Sequence, residues 1–246
     1  MIPQELFSEY TLNGKISAYE FHFAGGSNRT HFNYSKELVD SFVSKAATKS
    51  VMHYPETDGW LYEAVEKYSV KDKSVLIIGS EEPCYEGVAI HYGATTTMVE
   101  YQRVTSEHEK LKTMTVEEFE KSNELYDAAI SISSVEHSGL GRYGDALDPY
   151  GDIKSMKFLY DKLKSGGICF LAVPMGVDQI LWNAHRVYGR VRFPMLIEGW
   201  EVLDSFGFID SDYDVDENLR RKNGKVPNRP GVSGGAHQPV FVLRKK

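Results

Sequence analysis

Glu100 stands twenty-one residues after Gly79, and the residues around the pair read as a strand, a glycine turn, a helix and a second strand. A carboxylate at the carboxyl end of that second strand can accept both hydroxyl protons of a ribose. Gly79 lets the chain turn sharply where a ligand would crowd a Cβ. Ahead of it, Val75-Leu76-Ile77-Ile78 is an unbroken apolar run, as expected of a parallel strand covered on both faces. The spacing predicts a nucleoside-containing cofactor at the switch point of an open α/β sheet, with Glu100 on the ribose. The plainer alternative for Glu100 is a solvated carboxylate at a strand end.

Two further groups of residues have the types that chemistry needs. Tyr126 to Ser133 reads as a buried strand, and Ser134-Val135-Glu136-His137 leaves its carboxyl end, where open α/β sheets bind ligands. His137 is a candidate general base, since imidazole titrates near neutrality; it could equally hydrogen-bond the loop beside it. Arg142, Tyr143, Asp145 and Asp148 follow in a glycine-rich loop that suits a substrate but also an ordinary aspartate turn cluster. Asp145, Asp148 and Asp152 lack the calcium-loop pattern, so no metal is expected. Farther on, Asn183, His185, Arg186, Tyr188, Arg190 and Arg192 place three guanidinium groups within seven residues. Arginine forks match carboxylate and phosphate, so Asn183, Arg186 and Tyr188, with Arg142 and Tyr143, are candidate substrate contacts and His185 a second candidate base. A solvated basic face is the competing reading.

These residues need a scaffold. Ser35 to Val43 and Pro55 to Tyr68 have helical spacing, and Asp152 to Leu163 is amphipathic, with Ser165-Gly166-Gly167 expected to cap it. The run Ile168 to Val173 predicts a further strand. Lys15 to Phe23 suggests an early strand, Gly25 to Asn28 a loop, Leu111 to Met114 a short strand, and Pro174 to Arg192 a long connection. Leu196 to Phe206 is expected to be mostly helical, Phe208 to Tyr213 and Pro239 to Leu243 to be two closing strands, and Asn218 to Gly235 a polar, glycine-rich loop. The expected division is an N-terminal extension or cap over 1–54 and one α/β domain over 55–246.

Composition narrows the function. The chain has 246 residues, 41% of them hydrophobic, which supports a substantial core. A net charge of −7 gives no basic field for nucleic acid or an anionic membrane. No run reaches the roughly 18 apolar residues of a membrane span. Met1 to Glu5 lacks a basic and then apolar leader, and two cysteines make no disulfide framework. A reducing, cytoplasmic setting is the expectation; oligomeric state is not legible.

The order strand, Gly79 turn, helix, strand, Glu100, then Tyr126-Asp127 opening a strand that leads to Ser134-Val135-Glu136-His137, then Leu163-Lys164-Ser165-Gly166-Gly167, resembles the class I S-adenosylmethionine-dependent methyltransferases. A narrower resemblance lies in Ser134 to Asp145, Asp148 to Asp152 and Asn183 to Gly189, which look like the methyltransferase-like family catalogued as domain of unknown function 268. The resemblance implies a doubly wound, mostly parallel seven-stranded sheet with an antiparallel last strand. It implies S-adenosyl-L-methionine as cofactor, with Gly79, Ser80, Glu81, Glu100, Tyr101 and Ser133 around it and Met114 and Thr115 beside the adenine. The turn departs from the pattern: Glu81, Glu82 and Pro83 stand where further glycines are usual. Glutamates would repel a phosphate but tolerate a sulfonium and an ammonium. The reading is thus a methyltransferase with a small-molecule acceptor, a carbohydrate or a carboxylate. The alternatives are a non-catalytic ligand- or partner-binding member of the fold and, third, a nicotinamide oxidoreductase.

Overall fold

The computed structural model describes residues 1–21, 31–80, 82–219 and 236–246. In chain order the elements are α1 (Gln4–Tyr10), β1 (Ser17–Glu20), β2 (His31–Tyr34), α2 (Lys36–Ala47), α3 (Pro55–Lys67), β3 (Ser74–Ile78), α4 (Cys84–His91) and β4 (Thr95–Glu100). They continue with β5 (Arg103–Ser106), β6 (Leu111–Thr115), α5 (Val116–Lys121), β7 (Tyr126–Ile132), α6 (Gly151–Lys162) and β8 (Leu163–Ala172). The last are β9 (Gln179–Trp182), β10 (His185–Val187), α7 (Arg192–Leu196), β11 (Trp200–Phe206) and β12 (Val240–Lys245).

Seven strands form the central sheet in the order β11-β12-β8-β7-β3-β4-β6. The pairs along β8, β7, β3, β4 and β6 are parallel, and β12 runs antiparallel to both its neighbours. This is the sheet that the resemblance implied. Period-2 alternation decides its two faces. Val75, Ile77, Ala128, Ile130, Phe170 and Val242 point to one side and pack with Leu61, Val65 and Val88 of α3 and α4. Leu76, Ala129, Cys169, Leu171 and Phe241 point to the other and pack with Phe119, Met156, Leu159 and Phe193 of α5, α6 and α7. Both faces are covered, which is why these strands read as continuous apolar runs.

Gly87 serves a helix–helix contact. A Cβ there would lie 2.6 Å from Phe42 Cβ of α2, so α2 seats directly against α4. The N-terminal residues also supply strands: β1 pairs with β9, which pairs with β10, and β2 pairs with β5.

Several local expectations are corrected. The long connection expected over residues 174–192 carries two short strands of its own, β9 and β10. The glycines at 166 and 167 lie inside β8, and α6 ends at Lys162, with Leu163 after it already extended. Trp200–Phe206 is a strand, not a helix, and residues 210–214 form a 3₁₀ turn. The cause is a bulge: the register with β12 shifts between Val202 and Asp204. It lets Leu203 and Phe206, three residues apart, pack on the same cluster, which a regular strand forbids. That spacing imitates a helix in sequence. The expected loop at Gly25 to Asn28 lies outside the described residues, as does nearly all of Asn218 to Gly235.

Candidate functional site

The carboxyl ends of β3, β4, β6, β7 and β8 open on one cavity of about 830 Å³, within the roughly 300–1,000 Å³ of small-molecule sites. Its first half is built at the ends of β3 and β4. Gly79 has φ +72°, and a Cβ there would stand 2.6 Å from Ser134 Oγ and 3.9 Å from Glu100 Oε2. The turn is held on both sides: Gly79 N–H donates to Val99 O at 3.2 Å, and Tyr34 of β2 donates its hydroxyl to Ser80 O at 2.7 Å. Glu100 Oε1 accepts from its neighbour's Tyr101 N–H at 2.8 Å. Apolar lining on this side comes from Val99, Val116, Phe119 and Phe158.

The second half is built at the end of β7. Ser133 has φ +51°, a conformation strained for a non-glycine residue. Its hydroxyl accepts from Tyr54 Oη at 3.0 Å and from Gln238 Nε2 at 3.2 Å, and donates to Glu136 Oε1 at 2.8 Å. Glu136 is fully buried, and that burial pushes its carboxyl up to about 7. His137 Nδ1 is 2.6 Å from Ala184 O, which makes Nδ1–H the donor and leaves the Nε2 lone pair facing Glu136 Oε1 at 3.6 Å. Burial, and then the Arg142 guanidinium, push His137 down to about 3, so its ring is neutral at physiological pH. Arg142 Nη1 donates to the same Ala184 carbonyl at 2.9 Å, and its guanidinium lies 5.0 Å from the Tyr143 ring. The His185 and His137 rings meet edge to face at 6.3 Å.

The cavity therefore gathers Gly79, Ser80, Glu100, Tyr101, Ser133, His137, Arg142, Tyr143 and His185 from the sequence-predicted set. Glu81 lies outside the described residues. Met114 and Thr115 stop just short of the wall, which Val116 and Phe119 form instead. Asn183, Arg186 and Tyr188 do not line it. Arg186 is fully buried and donates to the carbonyls of Glu136, Ser138, Asp148 and Pro149 at 2.6–3.4 Å. Tyr188 donates its hydroxyl to Asp152 at 3.0 Å, beside the bidentate Arg192–Asp152 pair. These side chains brace the loop that carries His137 and Arg142, so they act on the wall from behind.

Sequence reasoning missed His53, Tyr54 and Gln238 on the wall, and it left Glu136 without a role. The buried Asp58 sets the first two by accepting the N–H groups of Met52, His53 and Tyr54 at 2.7–2.9 Å. An aspartate four residues after a tyrosine is a faint signal, and Gln238 had none. Among the described residues no cluster of three or more His, Cys, Asp or Glu is placed to hold a metal, and no helix is long and apolar enough to cross a membrane.

The model of the family described as "Caenorhabditis protein of unknown function, DUF268" matches residues 72–245. No curated protein matches the chain. Among solved structures, the chain is similar to a 1,6-didemethyltoxoflavin-N1-methyltransferase from Burkholderia thailandensis, crystallised with 1,6-didemethyltoxoflavin and S-adenosylhomocysteine. That pair has 15% identity and a TM-score of 0.52, and covers 85% of this chain and 87% of the other. A S-adenosylmethionine-dependent methyltransferase from Clostridium acetobutylicum aligns at 11% identity and a TM-score of 0.48 over 84% and 97%. A 16S rRNA N2 G1207 methyltransferase from T. thermophilus aligns at 14% and 0.43 over 78% and 43%. At 15% identity the first of these likenesses shows the sheet architecture alone and leaves the acceptor open.

Proposed function

We propose that this chain, which belongs to the DUF268 family and is built on the class I methyltransferase fold, is an S-adenosylmethionine-dependent methyltransferase acting on a small molecule. One observation carries the reading: a left-handed glycine and a carboxylate face each other at the ends of adjacent parallel strands, at the head of a cavity. The missing Cβ at Gly79 leaves room for a cofactor to approach the backbone, and Glu100 is placed for the ribose hydroxyls. Tyr101, Val116 and Phe119 offer the apolar wall an adenine needs. Glu82 and Glu100 on the lining suit a donor that carries a sulfonium and an ammonium and disfavour a dinucleotide pyrophosphate. When bound, the cofactor supplies an activated methyl. The chain's own residues would orient the acceptor, exclude water and take up a proton. His137 and His185 stand at the end of the cavity where Ser133 and Glu136 lie, with Arg142 and Tyr143 beside them, so this is the acceptor side.

The test is calorimetric titration of the purified chain with S-adenosylmethionine, S-adenosylhomocysteine and NAD. S-adenosylhomocysteine is expected to bind, and Glu100→Ala to weaken it by about 1.5–3 kcal/mol, the scale of a hydrogen bond to a charged group. Binding of NAD in its place, or unchanged S-adenosylhomocysteine affinity in folded Glu100→Ala, would overturn the reading. Binding with no turnover on any acceptor would leave a ligand-binding member of the fold.

A further inference from the structure

Ser133 is a junction with a direction. Its backbone is held at φ +51°, a costly conformation for a serine. Its hydroxyl oxygen accepts from Tyr54 Oη at 3.0 Å and from Gln238 Nε2 at 3.2 Å, which fills both lone pairs, so its own proton goes to Glu136 Oε1 at 2.8 Å. The hydroxyl protons of Tyr54 and Ser133 therefore run along one chain toward Glu136. That carboxyl is sealed inside the protein, with no exposure of its own, and a ligand does not touch it. The chain opens at its other end. Tyr54 is half-buried and lines the cavity, and its hydroxyl, having donated to Ser133, keeps a lone pair for a donor.

Electrostatics says which donor. The groups facing the relay are Arg142 and His137 from the loop of Glu136, Arg186 from β10, Tyr188 beyond it and Asp58 behind Tyr54. Burial, then Arg142 and, more weakly, Arg186 keep His137 neutral. A ligand ammonium beside it would meet the same burial and the same two guanidiniums. A carboxylate brings no proton for the relay to take. A hydroxyl brings a proton and no charge. Burial holds the Tyr54 phenol above its ordinary range, so it passes a proton on rather than losing its own to solvent. Burial also pushes Glu136 up to about 7, so this carboxyl can keep and release a proton in neutral solution.

We propose that the methyl acceptor is a hydroxyl compound bound with its O–H on Tyr54 Oη, and that Tyr54 and Ser133 carry its proton to Glu136. This rests on the sulfonium-donor reading above. The acceptor's O–H bond breaks as an O–H bond forms on Tyr54; Tyr54 gives its former proton to Ser133, and Ser133 gives its own to Glu136. The electron pair left on the acceptor oxygen forms the new O–C bond as the C–S bond of the methylsulfonium breaks, and the C–S pair stays on sulfur as a thioether. The sulfonium loses its positive charge and the Glu136 carboxylate its negative one. After transfer each hydroxyl proton points back toward the cavity. Once the ether leaves, the proton returns from Glu136 through Ser133 and Tyr54 to solvent, and the relay is reset. Tyr54 is the catalytic residue of the set; Ser133 and Glu136 act through it.

The experiment uses three probes on a benzene ring, which suits a wall that carries Phe21, Tyr143 and His185: phenol, its methyl ether anisole, and benzylamine. Each is titrated calorimetrically into the full chain saturated with S-adenosylhomocysteine, at about pH 6 and about pH 8, on either side of the Glu136 titration. Phenol stays un-ionised across this range. At the higher pH phenol is expected to bind about tenfold tighter than anisole, the scale of a hydrogen bond drawn toward a charge, and benzylamine to bind weakest. At the lower pH, where Glu136 is protonated and no longer draws the relay toward itself, the ratio should fall several-fold. Tyr54→Phe should bring the phenol-to-anisole ratio to about one at both pH values. Glu136→Gln should keep a preference for phenol but lose its pH dependence. Circular dichroism and melting establish that each variant is folded; if Glu136→Gln is not, Ser133→Ala, which cuts the relay in the middle, should lose the pH dependence instead. Tighter binding of benzylamine than of phenol, no phenol binding at millimolar concentration, a ratio unchanged in folded Tyr54→Phe, or a pH dependence that survives in the folded relay variant overturns the proposal. Failure of S-adenosylhomocysteine to bind the wild-type chain counts against the donor reading alone; the same titrations on the free protein then still decide the acceptor.

Discussion

Glu86→Gln should flatten the pH dependence of this protein's stability between about pH 4.5 and 7. Glu86 sits in the first turn of α4 with no solvent exposure. Among the described residues neither carboxylate oxygen has a hydrogen-bond partner of good geometry, although its own backbone N–H and then the Ser80 hydroxyl lie near enough to favour the ionised form somewhat. Burial, reinforced by the nearby charge of Glu100, pushes the carboxyl from its ordinary 4.5 up to about 7. The folded state therefore holds this proton more tightly than the unfolded chain does. The resulting stabilisation is complete below pH 4.5 and is lost as pH rises through 7. Each pH unit between the two values is worth about 1.4 kcal/mol, so the wild-type chain loses on the order of 3 kcal/mol across that window. Glutamine has the same shape and no proton to lose. Its stability relative to wild type should rise by that amount between pH 4.5 and 8, or about 6–12 °C in Tm for a domain of this size. Urea unfolding of both proteins at a series of pH values measures the difference directly. Glu136, also pushed to about 7, adds a slope of the same sign, while His137, pushed to about 3 from 6.5, contributes stability that is present above pH 6.5 and lost as pH falls. Both effects are common to the two proteins and cancel in the difference. A gap between wild type and Glu86→Gln that stays constant over pH 4.5 to 8 would show that this carboxyl ionises normally in the fold.

Gly79→Ala should cost at least about 1 kcal/mol, because its φ of +72° is unfavourable for any Cβ and the new methyl meets Ser134 Oγ. Adding Ser134→Gly should recover the steric part and not the backbone part, as a double-mutant cycle by chemical denaturation will read; full additivity would mean the two do not touch. Asp152→Asn should destabilise by about 3–5 kcal/mol, because it leaves the buried guanidiniums of Arg186 and Arg192 without their carboxylate. In the same background Arg192→Met should restore part of that loss, and a near-neutral Asp152→Asn in urea unfolding would refute the view of this cluster as the brace of the 136–149 loop.

What the sequence determined by itself is the part of the molecule made from neighbours in the chain. Val75 to Ile78, Gly79 and Glu100 belong to one strand–helix–strand unit, where apolar runs and a turn glycine mark each boundary. Their meeting at 3.9 Å, measured from where a Gly79 Cβ would stand, follows from parallel pairing of β3 with β4. His137 and Arg142 could be placed on the same sheet edge for the same reason, since they leave the carboxyl end of β7. The edge strand β11 was not legible, because a bulge gives a strand the apolar spacing of a helix. The cavity wall at the end of β7 was decided by tertiary structure. Tyr54 and Gln238 reach Ser133 across 79 and 105 residues of chain, and no local pattern encodes such a meeting. Glu136 reads in sequence as one more acid; full burial alone pushes its carboxyl up to about 7. Arg186 shows the limit most clearly. Its basic neighbours suggested an anion site, but its acceptors are main-chain carbonyls, which every residue carries and no side-chain pattern can announce.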